Sequence, residues 1–304
     1  MTTSTLDARL AGPADVAAAL DAVGYLPDDG IATGVHLALR MGRPLLLEGD
    51  AGTGKTALAQ AMADVVGVPL VRLQCYEGID SAQALYDWDF PRQLLHLRAA
   101  EAVGRADADA LEAELHDRRF LVSRPLLQAL ELSRTDAPAV LLIDEVDRAD
   151  DEFEAFLLEV LSDWTVTVPE LGTIRAAVPP LVVLTSNRTR ELHDALKRRC
   201  LYHWLDHPSY DREVAIVRRR VPEASRQLAL DVTRVAQALR AQDLLKPPGL
   251  AETIDWAQAL VVLGVRELDE DTAARSLGAL VKYREDAERV QRAGGALAVA
   301  AAGG

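Results

Sequence analysis

Between positions 49 and 56 the chain reads Gly49-Asp50-Ala51-Gly52-Thr53-Gly54-Lys55-Thr56, which fits the pattern G-x-x-x-x-G-K-[ST]. Glycines let backbone N–H groups turn inward as a nest around an anion. A helix N-terminus directly after them adds the positive end of its dipole. Lys55 is placed to reach β- and γ-phosphates, and the Thr56 hydroxyl is a ligand type for Mg²⁺. A Gly-rich turn could match by accident, but the flanks argue otherwise. Pro44-Leu45-Leu46-Leu47-Glu48 reads as a short buried strand, and Ala57-Leu58-Ala59-Gln60-Ala61-Met62-Ala63 as a helix of strong helix formers. The stretch Gly49 to Ala57 is therefore expected to cradle the phosphates of a nucleotide.

A second group of chemically capable residues closes a strand. Ala139-Val140-Leu141-Leu142-Ile143 is a continuous apolar run that ends in Asp144-Glu145. Such runs suit parallel sheets covered on both faces, and open α/β sheets take their ligands at the carboxyl ends of the strands. Asp144 is placed to hold Mg²⁺ through water, and Glu145 to polarise an attacking water. The alternative, a surface turn with two solvated acids, loses weight because a phosphate loop stands earlier in the chain. Leu181-Val182-Val183-Leu184-Thr185 is another buried strand and ends in Ser186-Asn187. A lone Asn after a strand is commonly a turn former, but this one emerges at the same sheet edge as Asp144, where its amide suits phosphate or water sensing. Tyr25 either lies against an adenine ring or packs between two helices, and the local sequence leaves both readings open.

The elements that must position these groups follow in order. Helices are expected at 14–23 and 29–40, before the first strand, and a second strand at 68–74. The segment 75–91 is aromatic and acidic without a clear period, and reads as an exposed insertion rather than a packed loop. A charged helix spans 92–115, and another runs through Leu132. A helix at 152–162 leads to an alternating stretch, 164–175, read as a β-hairpin around Pro169-Glu170-Leu171-Gly172. The last strand is 201–205, and His203 and His207 read as structural. After Pro208 the pattern is helical only, near 211–221, 225–241, 251–263 and 272–291, with an Ala/Gly tail from Ala293 expected to fray. An α/β domain over 1–207 followed by a small all-α lid over 208–304 is the expected organisation.

With 304 residues, 49% of them hydrophobic, the chain has ample material for such a core. Its net charge of −14 argues against a dedicated nucleic-acid binder, which needs clustered Lys and Arg. Cys75 and Cys200 match no metal or redox spacing and read as free thiols of a reducing cytoplasm. The opening residues are polar, with no signal-peptide pattern, and no apolar run is long enough for membrane insertion.

Taken together, the motifs from Gly49 through Arg199 resemble those of AAA+ ATPases, and within that superfamily the MoxR family, over about residues 14–292. The phrases that carry this are Arg43-Pro44-Leu45-Leu46-Leu47-Glu48-Gly49, Arg124-Pro125-Leu126-Leu127, Leu142-Ile143-Asp144-Glu145-Val146-Asp147-Arg148-Ala149, Leu184-Thr185-Ser186-Asn187 and Ala195-Leu196-Lys197-Arg198-Arg199-Cys200. Lys246-Pro247-Pro248-Gly249 and Glu252-Thr253-Ile254-Asp255-Trp256 narrow the similarity to MoxR-type ATPases encoded with carbon monoxide dehydrogenase genes. The resemblance implies an AAA+ P-loop NTPase fold with a five-stranded parallel sheet of order 5-1-4-3-2 and a helical lid. It implies a ring homo-oligomer, a hexamer, that hydrolyses ATP with Mg²⁺ between neighbouring subunits. Lys55, Thr56, Asp144, Glu145 and Asn187 would form the cis half of that site, and Arg199 the arginine finger from the next subunit, with Arg198 as the alternative. The implied partners are a von Willebrand A domain protein and a client metalloenzyme whose maturation or cofactor insertion the motor drives. A metal-chelatase motor is the competing reading, and a nucleic-acid ATPase the weaker one. One departure stands out: where many AAA+ lids carry a sensor arginine, this chain has Gly249-Leu250-Ala251-Glu252-Thr253.

Overall fold

Pro13 and Asp28 start the first two helices for different reasons. Pro13 opens α1 (Pro13–Ala22) at the first helical position, where its missing N–H costs nothing. Asp28 caps α2 (Asp29–Met41) by accepting from the Ile31 N–H at 2.6 Å. The structure is a computed structural model and describes residues 9–103, 108–169 and 171–302. The described residues form two compact units. One takes those within Met1–Val23, Pro27–Glu48 and Ala59–His203, and the other those within Gly24–Leu26, Gly49–Leu58 and Trp204–Gly304.

The chain continues through β1 (Leu45–Glu48), α3 (Lys55–Val66), whose first turn as far as Leu58 falls in the second unit, β2 (Leu70–Gln74), α4 (Ser81–Leu85), β3 (Tyr86–Trp88), α5 (Phe90–Ala102), α6 (Ala108–Leu115), β4 (Leu121–Ser123), α7 (Pro125–Leu132) and β5 (Val140–Asp144). The first unit ends with α8 (Asp151–Asp163), the pair β6 (Thr165–Val168) and β7 (Gly172–Arg175), β8 (Leu181–Ser186), α9 (Asp194–Arg199) and β9 (Leu201–Trp204). Five strands form one sheet in the order β2-β5-β8-β1-β9. Counted among the sheet strands alone and from the β9 edge, this is the expected 5-1-4-3-2. The β1–β8, β5–β8 and β2–β5 pairs are parallel, with Leu46 beside Leu184 and Gln74 beside Asp144. Every residue of β1, β5 and β8 is buried, as a doubly covered parallel sheet requires. On one face Leu46, Leu141, Ile143, Val182 and Leu184 pack with Phe153, Leu157 and Leu196.

Two expectations change in this unit, and a third holds. The segment 75–91 is structured: it holds α4 and β3, and β3 pairs antiparallel with β4. Trp88 packs edge-on against His116 at 5.4 Å, whereas Phe90 is strongly exposed. The single helix expected over 92–115 is two, α5 and α6, and residues 104–107 between them lie outside the described residues. The hairpin at 164–175 forms as expected with Val166 beside Ile174, although Glu170 of its turn lies outside the described residues. Its apolar face is covered by the protein itself, since Val166 and Val168 pack with Leu127, Leu130 and Val160.

The second unit carries α10 (Tyr210–Arg220), α11 (Arg226–Arg240), α12 (Leu250–Val262), α13 (Glu270–Leu280), α14 (Arg284–Arg292) and α15 (Ala296–Ala302). Trp256 is its centre, fully buried with its indole N–H donating to Ser276 Oγ at 2.8 Å. The helix expected over 272–291 is broken because Val281 is extended, at φ −107° and ψ 125°. The tail expected to fray is α15, which packs against α11 and buries Ala296, Val299 and Ala300. The polar residues 1–8 and the final pair, 303–304, lie outside the described residues. Among the described residues no helix is long and apolar enough to cross a membrane.

A frayed tail and a packed helix predict different truncations. Deleting residues 296–304 should lower the unfolding free energy by roughly 2 kcal/mol, the transfer value of one valine and two alanines. Urea denaturation followed by circular dichroism measures this, and an unchanged midpoint would return the tail to the frayed class.

Candidate phosphate loop and acid pair

The phosphate loop belongs to the second unit. Lys55, the first residue of α3, is 5% exposed. Its Nζ donates to the carbonyls of Gly49 and Asp50, each at 2.7 Å, and the Thr53 hydroxyl donates to Asp50 O at 2.9 Å. Thr56 and Ala57 stand exposed on the first helical turn. Gly49 has φ 156°, and a Cβ there would lie 2.3 Å from the Leu205 carbonyl oxygen, so the loop can enter its turn only with glycine. The start of α12 touches the loop directly. A Cβ on Gly249 would lie 2.9 Å from Ala51 O, and the Ala251 N–H donates to Gly52 O at 3.3 Å. Glu252 closes a capping box on α12, accepting from the Gly249 N–H at 3.0 Å. The lid position that lacks the expected arginine therefore presents an acid close to Gly52. His207 Nε2 lies 3.7 Å from Asp50 Oδ2, and burial, with Arg240 behind it, pushes its pKa down. Tyr25 is half-buried in this same unit.

The acid pair belongs to the first unit. Asp144 ends β5 and is 4% exposed. Its Oδ1 accepts from the Thr185 hydroxyl at 2.5 Å, and its Oδ2 from the Arg72 guanidinium at 2.6 Å. Glu145 follows with a left-handed backbone, φ 54°, a conformation costly for a non-glycine residue and concentrated at functional sites. The Glu145 N–H donates to Thr185 Oγ1 at 2.9 Å. Its carboxylate accepts from Gln74 Nε2 at 3.1 Å and pairs with Arg148 Nε at 3.2 Å. Arg72 also donates to Gln74 Oε1 at 2.6 Å, so one chain of contacts runs from Asp144 through Arg72 and Gln74 to Glu145. The Cys75 thiol is pushed up to about 12, first by burial and then by the charges of Asp144, Asp147, Glu145 and Glu154.

Asn187 leaves the sheet beside this pair, half-buried. Asp147 ties its loop down: Oδ2 accepts from the N–H groups of Asn187 at 3.2 Å and Thr189 at 2.8 Å, and from the Thr189 hydroxyl at 2.7 Å. Further along, Glu154 accepts from Arg190 and from the His193 N–H. Arg198 and Arg199 are exposed on the last turn of α9. That short helix is closed by Arg43, whose guanidinium donates to the carbonyls of Arg198 at 2.6 Å, Arg199 at 3.0 Å and Cys200 at 3.3 Å.

Sequence reasoning singled out none of Arg72, Gln74, Thr185, Asp147 and Arg43 for these contacts. A signal existed for two of them. Arg72 and Gln74 alternate with apolar residues on β2, which puts both on one face and brings Gln74 level with Asp144.

A profile of the AAA domain (dynein-related subfamily) matches residues 44–200, more than half of the chain. The chain belongs to this AAA family. The matched residues run from β1 through the acid pair to the end of α9, and so take in the phosphate loop, Asn187 and both arginines. Among individual proteins, midasin of Giardia intestinalis is 50% identical over 48 residues, which are 16% of this AAA protein and 1% of midasin. An uncharacterized protein of Staphylococcus epidermidis is 22% identical over 231 residues, 74% of this chain and 78% of the relative. Among solved structures, a point mutant of Thermotoga maritima RuvB superposes with a TM-score of 0.49 at 15% identity, covering 93% of this chain and 76% of RuvB.

The Asp147 anchor makes a stability prediction. Asp147→Ala removes the buried carboxylate that the Asn187 and Thr189 donors share, and hydrogen bonds to a charged group are together expected to be worth about 1–3 kcal/mol here. Urea unfolding of the variant should show a loss of at least that size. A loss within error of zero would remove Asp147 as the anchor.

Proposed function

We propose that this AAA protein is an ATP hydrolase that works as a ring-forming, MoxR-type remodelling motor. The observation that carries the reading is Glu145, held in a left-handed turn directly after the buried Asp144 at the carboxyl end of a central strand. A strained acid at that edge suits activation of a water for attack on a phosphoryl group. Glu145 accepts the water's proton as the new oxygen–phosphorus bond forms, and the bond from the γ-phosphorus to the oxygen bridging it to ADP breaks. Lys55 and the loop N–H groups balance the phosphate charge, and the Asn187 amide orients the water. Thr56 and Asp144 offer the hydroxyl and carboxylate oxygens that Mg²⁺ prefers, and a cation's charge is already accommodated at Asp144 Oδ2. Bound Mg²⁺ would supply neutralisation of phosphate charge. Arg199, or Arg198 beside it, serves as the finger for the nucleotide of a neighbouring subunit, on a helix that Arg43 closes. By resemblance, the work is done on a von Willebrand A domain protein and a client metalloenzyme.

The test separates binding from chemistry. Lys55→Ala should lose binding of a fluorescent ATP analogue. Glu145→Gln should bind normally and lose turnover by about 10²–10⁴-fold, the range of a general base. Arg199→Ala should keep nucleotide affinity and lose about 10³–10⁵ in turnover, and mixing it with Lys55→Ala subunits should restore part of the phosphate release. Undiminished turnover in Glu145→Gln would end the assignment of the base. Purification of the ATP-loaded Glu145→Gln protein with a co-expressed von Willebrand A protein tests the partner, and its absence from the purified complex would end the MoxR-type part of the reading.

A further inference from the structure

Arg72 sits on β2, a strand whose other polar side chain on that face is Gln74. Its guanidinium donates two hydrogen bonds among the described residues, and both lead to the acid pair: Asp144 Oδ2 at 2.6 Å and Gln74 Oε1 at 2.6 Å. Because Gln74 uses its oxygen to accept from Arg72, its NH₂ group is left to donate to Glu145 Oε2, which it does at 3.1 Å. One cation thus fixes the carboxylate of Asp144 directly and that of Glu145 through an intervening amide. Arg72 is 52% exposed at its side chain while Asp144 is 5% exposed, so the guanidinium can leave for water more readily than the carboxylate can.

We infer that Arg72 is a positioning residue that acts as a built-in competitor for the divalent cation at Asp144, and that its departure unfastens Glu145. This inference rests on the ATP-hydrolysis reading above. A guanidinium and a divalent cation sharing one carboxylate repel each other, so Arg72 yields Asp144 as the cation is taken up. Gln74 then loses the donor that sets its amide and no longer holds Glu145 in place. Arg148 remains as a second partner of Glu145 at 3.2 Å, which makes the release graded rather than complete. In this arrangement Arg72 and Gln74 occupy the acid pair until a cation displaces Arg72, and the base becomes available in step with cation uptake.

The experiment is a titration of the full-length protein with Mn²⁺ in the presence of ADP, reading bound Mn²⁺ by electron paramagnetic resonance. Arg72→Met should bind Mn²⁺ about two- to fivefold more tightly than wild type, in line with loss of a partly exposed competing ion pair. Arg72→Lys, which keeps the charge, should stay near the wild-type value. In an Asp144→Asn background Arg72→Met should have no further effect, since the shared carboxylate is gone. Steady-state turnover should show the matching split, with half-maximal activity at lower Mg²⁺ in Arg72→Met and no rise in KM for ATP. Should Arg72→Met fail to fold, Arg72→Gln carries the same expectation. Unchanged or weaker Mn²⁺ binding, or an effect that persists with Asp144→Asn, overturns the role of Arg72 while leaving the ATPase reading intact. A wild-type protein that binds no Mn²⁺ with nucleotide overturns the ATPase reading and the inference with it.

Discussion

The hydroxyl of Thr185 holds the acid pair of the first unit in place. It lies on β8, 1% exposed, and it serves two residues of the neighbouring strand end at once. It donates to Asp144 Oδ1 and accepts from the Glu145 N–H. A serine could supply the same two bonds, but a threonine on a strand has a restricted χ1 and holds its hydroxyl in one direction. That fixed hydroxyl stabilises the backbone reversal at Glu145, which otherwise carries the cost of a positive φ. The parallel register of β5 and β8, with Ile143 beside Leu184, sets the two strand ends level so that the bond can form. The buried apolar strands thus matter to the acid pair chiefly as a ruler.

Much of this was legible in the sequence because the signals are local and strong. The phosphate loop, the apolar run into Asp144-Glu145, the second run into Asn187 and the alternating hairpin are each complete within about a dozen residues. Their order, strands alternating with helices and then helices alone, prescribes the five-stranded sheet and the helical second unit. The misses have a common physical cause. Strands β3 and β4 are three residues each and pair across more than thirty positions, so neither carries a period of its own. Arg72 and Gln74 look like ordinary polar residues of an edge strand until register places them beside the acids. The tail from Ala293 has the composition of a linker, and its alanines become core only because α11 offers a surface close enough for small side chains to fill.

The second unit gives the phosphate loop a companion that composition could not suggest. Gly249 allows the first turn of α12 to rest on Ala51 and Gly52, and the cap that starts the helix is the carboxylate of Glu252. The Ala251 N–H of that turn donates to Gly52 O at 3.3 Å, while Glu252 satisfies the Gly249 N–H that the turn would otherwise leave orphaned. Helix α12 meets the loop through backbone contact and a cap.

The Cys75 thiol, raised to about 12 beneath the acid pair, has a bearing on oxidative stress. Oxidants and electrophiles attack the thiolate, and the negative field of Asp144, Asp147 and Glu145 suppresses that form in addition to burial. Cys200, likewise pushed up to about 12 by burial, is equally unreactive. Both native thiols are therefore held in the protonated form at neutral pH, and a reporter cysteine introduced on the surface would be the first thiol to react.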